Sequence, residues 1–572
     1  MSAGFKYAFL HGVASGDPDD EGAVLWTRLT QRTQEAAQRI SLRWFVYDEG
    51  QGQADKDKVV DTGVVEATRE RDWTVKVVVN SLKPASAYTF VFECIDDPSV
   101  SPVGRFKTLP ALDMHVEKLR YAIFSCSNYG WGYFNAYDAA SRIKDLDFVL
   151  HLGDYYYEYG SHHYPSTSEA VRWEGLEPEH EAVTLEDYRR RHATYRRDPD
   201  LQKLTASTPL IAIWDDHEVA NNQYTTGAEN HQPETEGSFD DRKKAAIQAY
   251  HEWLPTRSGA IGGRDYTGEK YFRKFDFGDL ASLMVMETRM LNRTNPDEKP
   301  NLMDVTADKI STVSDIFKLE PEVERELLLF RDELDDYRRQ EQKSLLSSEE
   351  LDWIRKETAS SVSRGARWQL YAQQIVMADL RFADFEGAIE EAKRQGKAWD
   401  AENWKEQLDD AMCTSGTNVA TSYAPTAYLA DQYLKPQNLS TRDCLSYRAD
   451  FLHGKYGIPF NLDQWSGYLA ERERFFSAIK PSQNSVVYSG DSHNAWASNL
   501  RSSSGEWIAA EYAGTSVSST GWESFIKYVS PELLTSGFQA ANPDLVYANT
   551  KGNILSINFS LPACLFLFLF PN

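Results

Sequence analysis

Four short segments of the chain share one layout: an apolar run followed at once by side chains able to hold a metal ion. They are "YAIFSCSNYG" with Cys126, "FVLHLGDYYYE" with Asp154 and Tyr157, "IAIWDDHEVANN" with Asp215, Asp216, His217, Asn221 and Asn222, and "SVVYSGDSHNAW" with Asp491 and His493. Such runs read as strands buried on both faces. If they are parallel or mixed neighbours, their tips converge at one end of a sheet, where open α/β folds gather ligands. Few folds bring four such ends to one place.

Each segment also has a plainer reading. Cys126 alone fits a small buried hydrophobe, Tyr155 to Tyr159 a packed aromatic edge, "WDDHE" a helix N-cap and "GDSHN" a turn. The coincidence of all four favours a metal site. Competing catalytic patterns fail: "HEVAN" puts Asn221 where a helical zinc protease needs its second histidine, and no HxH pair, GxSxG elbow or phosphate-binding P-loop occurs.

The texture of the chain divides it. From Phe9 to about Pro110, short runs such as "AVLWTRL", "ISLRWFVYD" and "AYTFVFEC" alternate with turn-formers, which predicts a β-sandwich. Leu82 and Pro84 ahead of Tyr88 match the tyrosine corner of fibronectin- or Ig-like sandwiches. After "PALDMHVEK", from about Leu119, β-runs alternate with helical patterns, so the fold class is α/β with layered helices. The expected organisation is an N-terminal β-sandwich over 1–112, a catalytic domain over 117–560 and an apolar tail over 561–572. The charged stretches Leu319 to Arg355 and Phe385 to Met412 read as solvated helices without chemistry. "CLFLFLF" is far shorter than the roughly 20 residues of a spanning helix, and reads as a buried terminal strand or an added segment.

Charge narrows the function. With 572 residues the chain can bury a large core without metal, so a metal would serve chemistry or local order. The 61 basic and 86 acidic residues leave a net charge of −25, which opposes nonspecific binding to nucleic acid or anionic lipid. A site attracting phosphate needs compact positive charge inside this field, and metal ions supply it. Five scattered cysteines form no disulfide framework. The start "MSAGFKYAFLHG" lacks a signal-peptide pattern, as expected of a cytoplasmic chain or a trimmed mature form.

"FLHGVASGDPDDEGAVLWTRL", "FSCSNYGWGYFNAY", "DFVLHLGDYYYEYG", "YRRDPDLQ", "IWDDHEVANN", "DQWSGYLAERERF" and "YSGDSHNAW" together resemble the PhoD-like alkaline phosphatase and phosphodiesterase family. These proteins are relatives of purple acid phosphatases, and the resemblance runs from about Phe9 to Trp496. It implies a four-layer αββα metallophosphoesterase sandwich and hydrolysis of phosphate mono- or diesters by metal-activated water. It also favours a periplasmic or secreted mature form. Matched residue by residue, it implies that Asp154 bridges two metals, that Tyr157, Cys126 and His493 hold a ferric ion, and that Asp216 and Asp491 hold a second metal. His217 would lie beside the substrate, with Asn221 and Arg289 as further site residues, although Glu287 stands where the family usually has Asp. Donor chemistry agrees. Thiolate, phenolate and imidazole suit a transition metal, whereas carboxylates with an Asn carbonyl suit a hard cation, so Fe3+ with Ca2+ ranks ahead of zinc or manganese. Two alternatives stay open: a phosphotriesterase using the same site, and a non-catalytic binding or adhesion protein built on the β-sandwich.

Overall fold

Strands at Leu119–Phe124, Phe148–His151 and Leu210–Ala212 lie side by side and parallel, with Tyr121 opposite Phe148 and Val149 opposite Leu210. The last two are buried at every position, because layers cover both faces. In the computed structural model, which describes residues 5–32, 38–49, 59–257, 271–296, 316–411, 441–551, 554–560 and 565–571, these strands form the middle of an eight-stranded sheet.

A seven-stranded sheet packs on it, built around parallel strands Ala281–Val285, Trp368–Ala372, Ser485–Ser489 and Trp507–Ala513. The pleat sorts its side chains. Leu283, Leu370 and Val486 join the core shared with the first sheet, and Met284, Tyr371 and Val487 turn to the opposite face. There they meet Leu351 and Ile354 of the helix Ser348–Ser363 and Phe475 of the helix Leu469–Ile479. Between the sheets, Phe148 stacks on Phe277 at 5.1 Å and the Tyr121 hydroxyl bonds that of Tyr488. Helices Asn135–Ser141, Leu185–Arg196 and Phe239–Trp253 pack into the core of the first sheet through Ala136, Tyr188 and Ala246. The layers therefore run helix, sheet, sheet, helix.

The N-terminal sandwich pairs the sheet of Val59–Thr68, Arg39–Asp48, Ala87–Cys94 and Gly104–Lys107 with the strands Val13–Gly16, Ala23–Arg28 and Thr74–Val79. Leu25, Val77, Leu42, Phe90 and Phe92 fill its core. The tyrosine corner is present: the Lys83 N–H donates to the Tyr88 hydroxyl at 3.0 Å. The second layer is also the continuation of the first, eight-stranded sheet, since Gly16 pairs parallel with Leu210. A side chain at residue 16 would lie 2.5 Å from the Leu210 carbonyl oxygen, so the contact requires glycine. Next to it, buried Asp17 accepts the Arg257 N–H at 2.7 Å and the Arg273 guanidinium at 3.0 Å, and Arg273 also donates to the Ala212 carbonyl at 2.5 Å.

The helix Pro321–Arg338 and the helix Ser348–Ser363 are solvated on one side, as their charge suggested. Each buries one face, and Arg338 and Glu350 are fully enclosed. At the far edge of the first sheet, Ile554–Ser560 pairs antiparallel with Leu119–Phe124, and Leu565–Pro571 pairs antiparallel with Ile554–Ser560 as the edge strand. Cys94 and Cys126 are free, while Cys413 and Cys564 lie outside the described residues. Among the described residues no helix is long and apolar enough to cross a membrane.

Candidate metal centre

The first sheet's strands end at Phe124, His151 and Ala212, and the second sheet's at Val285 and Ser489. Cys126, Asp154 and Asp216 thus come from one sheet, and Arg289, Asp491 and His493 from the other. The expected convergence is real, but it draws on two facing sheets rather than one.

Local chemistry explains how the loops approach so closely. Gly153 has φ +108°, and a Cβ there would lie 2.4 Å from the Asp215 Cβ, so only glycine lets the Asp154 loop seat against Asp215. Glu218, itself buried, accepts the N–H groups of Tyr155 at 2.6 Å, Asp215 at 2.7 Å and Asp154 at 3.2 Å, tying two strand ends together. From outside, the helix Leu185–Arg196 starts at a capping box of Thr184 and Asp187 and presents Arg191 to the carbonyls of Tyr157 and Tyr159. Four candidate ligands sit in left-handed backbone: Cys126 at φ 61°, Asp154 at 52°, Asp491 at 63° and His493 at 60°. Each costs on the order of 1 kcal/mol, and such strain clusters at functional sites.

Three sets of ligand atoms each lie within 4.8 Å of one another: Cys126, Asp154 and His493; Asp154, Asp216 and His217; and Asp215, Asp216 and Asp491. Asp154 and Asp216 each belong to two sets, so the three form one chain. The Tyr157 hydroxyl donates to Asp154 Oδ2 at 3.0 Å and lies 3.1 Å from His493 Nε2. His493 Nδ1 donates to the Thr520 carbonyl at 2.8 Å, which leaves Nε2 with its lone pair facing the cluster.

Arg289 is fully buried and its donors serve carboxylates: Asp215 at 2.5 Å, Asp463 at 2.7 Å and Asp491 at 3.3 Å. Glu287 accepts the N–H groups of Arg289, Met290 and Leu291 and the Trp214 indole N–H, so it shapes the turn that carries Arg289. His217 Nδ1 lies 2.7 Å from Glu158 Oε2, and its ring centroid is 4.1 Å from that of Tyr157. The Asn221 side chain donates to Glu229 at 2.9 Å and its backbone N–H to Glu158 at 2.7 Å.

Crowded burial sets the protonation. Desolvation, together with Asp216, Asp215 and Glu218, pushes Asp154 well above the usual carboxylate range against the pull of His217. Desolvation, with Asp216 and Asp463 nearby, lifts Asp491 to about 6 even with Arg289 beside it. Asp216 behaves oppositely: desolvation would raise it, but His217 and Arg289 hold it below its ordinary value. Burial lowers His493 to about 4, so its imidazole is neutral and able to ligate. Among the described residues, Asp154 Oδ1 and Asp215 Oδ2 are buried without a hydrogen-bond partner. Unpartnered carboxylate oxygens enclosed among further carboxylates call for a cation, and the donor set beside them is one that a metal accepts.

Every residue expected from the sequence is therefore in this region, with different contacts. Cys126, Asp154, Asp216, Asp491 and His493 supply clustered ligand atoms and Tyr157 touches two of them, whereas Asn221 and Arg289 are engaged by neighbouring carboxylates. Sequence reasoning gave no role to Glu158, Glu218 or Asp463 and did not single out Asp215 as a ligand. All four stand inside or beside the quoted motifs, and an acid buried next to a metal-binding residue was the available signal.

The fold and the site define a layered α/β protein with a candidate metal centre, and the similarities of the chain make it a phosphoric ester hydrolase. Residues 121–560 match the model of the PhoD-like phosphatase, and residues 2–110 that of the PhoD-like phosphatase N-terminal domain. Alkaline phosphatase D of Bacillus subtilis (strain 168) is 30% identical over 530 residues, which cover 90% of this chain and 70% of that protein. A solved structure described as that of PhoD superposes with a TM-score of 0.68 at 28% identity, covering 97% of this chain and 85% of the other. The chain belongs to the PhoD-like phosphatase family.

Proposed function

We propose that the protein hydrolyses phosphate mono- or diesters with water activated at a mixed centre of ferric iron and calcium. The observation that carries this reading is the sharing of Asp154 and Asp216 among three ligand sets, each within 4.8 Å. Cys126, Tyr157, His493 and Asp154 would hold the ferric ion, and Asp154, Asp216 and Asp491 the calcium. Bound there, the two cations would supply an activated nucleophile and offset charge on the phosphoryl oxygens. The chain's own residues do the rest.

His217 is held at Nδ1 by Glu158 and shares a ligand set with Asp154 and Asp216, where its other ring nitrogen would protonate the departing alkoxide. Arg289 acts as a positioning residue, since its guanidinium fixes the carboxylates of Asp215, Asp463 and Asp491. Asn221 orders the Glu158 and Glu229 side of the site. Within this reading residues 1–112 form the supporting sandwich and 117–560 the catalytic domain, and polynucleotides are not preferred substrates of a chain with net charge −25.

Metal analysis with a visible spectrum tests the proposal. Iron and calcium should copurify, with a phenolate-to-iron absorption band that disappears in Tyr157→Phe, and Asp154→Asn should lose about 10³-fold or more of its hydrolytic rate. An active protein without iron and without colour would refute the metal assignment.

A further inference from the structure

Residues 514–522, "GTSVSSTGW", lie beyond the motifs that carry the family resemblance, which end near Trp496. The segment leaves the strand Trp507–Ala513 of the second sheet and crosses to the first. The Gly514 N–H donates to the Ser489 carbonyl at 2.8 Å, and the Val517 N–H donates to the Ser125 carbonyl at 2.9 Å. Positions 514–519 are all buried, and only short side chains occupy them.

This crossing touches three of the expected iron ligands. The carbonyl of Cys126, whose backbone is left-handed, accepts the N–H groups of Ser518 and Ser519, each at 3.4 Å. The Thr520 carbonyl accepts His493 Nδ1 at 2.8 Å, and the Thr515 hydroxyl donates to the His493 carbonyl at 2.8 Å. The fully buried Ser519 hydroxyl donates to the Tyr157 oxygen at 2.9 Å. Arg289 serves a different set, the carboxylates of Asp215, Asp463 and Asp491. Each side of the centre thus has its own support.

Ser519 has one hydroxyl proton and a second acceptor in reach, the Cys126 carbonyl at 3.2 Å. As a metal ligand Tyr157 is a phenolate, the stronger acceptor, and it takes that hydrogen bond. Such a bond lowers the energy of the oxygen lone pairs and tempers their donation to a metal.

We propose that Ser519 is a positioning residue for Tyr157, its hydroxyl aiming the phenolate oxygen and setting its donor strength on the iron side of the centre. The inference rests on the ferric reading proposed above.

The test reloads chelator-treated protein with iron and calcium, then reads the visible band, the iron retained against a competing chelator, and calcium affinity by calorimetry. In Ser519→Ala the band should move to longer wavelength and iron affinity should fall about tenfold or more, with calcium affinity within about twofold of the unsubstituted protein. Ser518→Ala removes a neighbouring hydroxyl that donates to the Asn128 carbonyl at 2.7 Å, and should leave the band in place. Ser519→Thr keeps the hydroxyl and should keep the band. An unmoved band in Ser519→Ala, the same shift in Ser518→Ala, or a shifted band in Ser519→Thr would overturn the role of Ser519 and leave the ferric reading standing. So would parallel loss of iron and calcium, the mark of a loop that only holds the fold. An unsubstituted protein with neither iron nor colour would overturn both readings together.

Discussion

Glu158 Oε2 lies 2.7 Å from His217 Nδ1, with both side chains withdrawn from solvent. Burial alone would lower the imidazole, but Glu158, Asp216 and Asp154 outweigh it and raise His217 well above its ordinary 6.5. The charged pair therefore stabilises the fold fully below that value, and the contribution is lost as pH rises through the raised one. Glu158→Gln should lower kcat on an ester with a poor leaving group by about 10²-fold and move the alkaline limb of its pH profile to lower pH. A limb that stays in place would show that His217 is not the proton donor.

Metal affinity should depend on proton release. Asp491 stands at about 6 in the fold against an ordinary 3.8, so the metal-free fold loses stability as pH rises across that window. A cation must displace this proton, so calcium affinity should climb by up to about tenfold per pH unit below that upper value and then level off. Calorimetric titration of the chelated protein at several pH values reads this directly.

Glu218→Ala should unfold the strand-end clamp. It strands the N–H groups of Asp154, Tyr155 and Asp215, each costing about 1 to 3 kcal/mol when buried and unsatisfied. Thermal inactivation at a fixed heating rate should come several degrees earlier, and metal content should fall with it.

Tyr88→Phe removes the acceptor of the Lys83 N–H and should cost about 1 kcal/mol of stability while leaving the visible spectrum unchanged. A large loss of activity in this variant would tie the sandwich to the metal centre more tightly than its distance in the fold suggests.

Several levels of the structure were legible in the residues themselves. Strand ends at Cys126, Asp154, Asp216 and Asp491 follow from apolar runs that stop at metal-competent side chains, and Tyr88 followed from its corner motif. The layout could not show that Asp491 and His493 arrive from a second sheet, because apolar runs carry no record of which layer they join. Nor could it show that Arg289 is spent on carboxylates, since the partner Asp463 is distant in sequence and only packing brings it near. The charged stretches were legible as surface helices, but their polar composition hides a narrow apolar face and lone enclosed charges such as Glu350 and Arg338.

Where Gly16 lies against Leu210, backbone pairing makes the sandwich and the hydrolase two ends of one continuous ribbon. A swinging motion of the first hundred residues would have to tear that ribbon beside the segment leading to Asp215 and Asp216. The front module is accordingly a fixed buttress of the sheet whose loops carry Asp154 and Asp216.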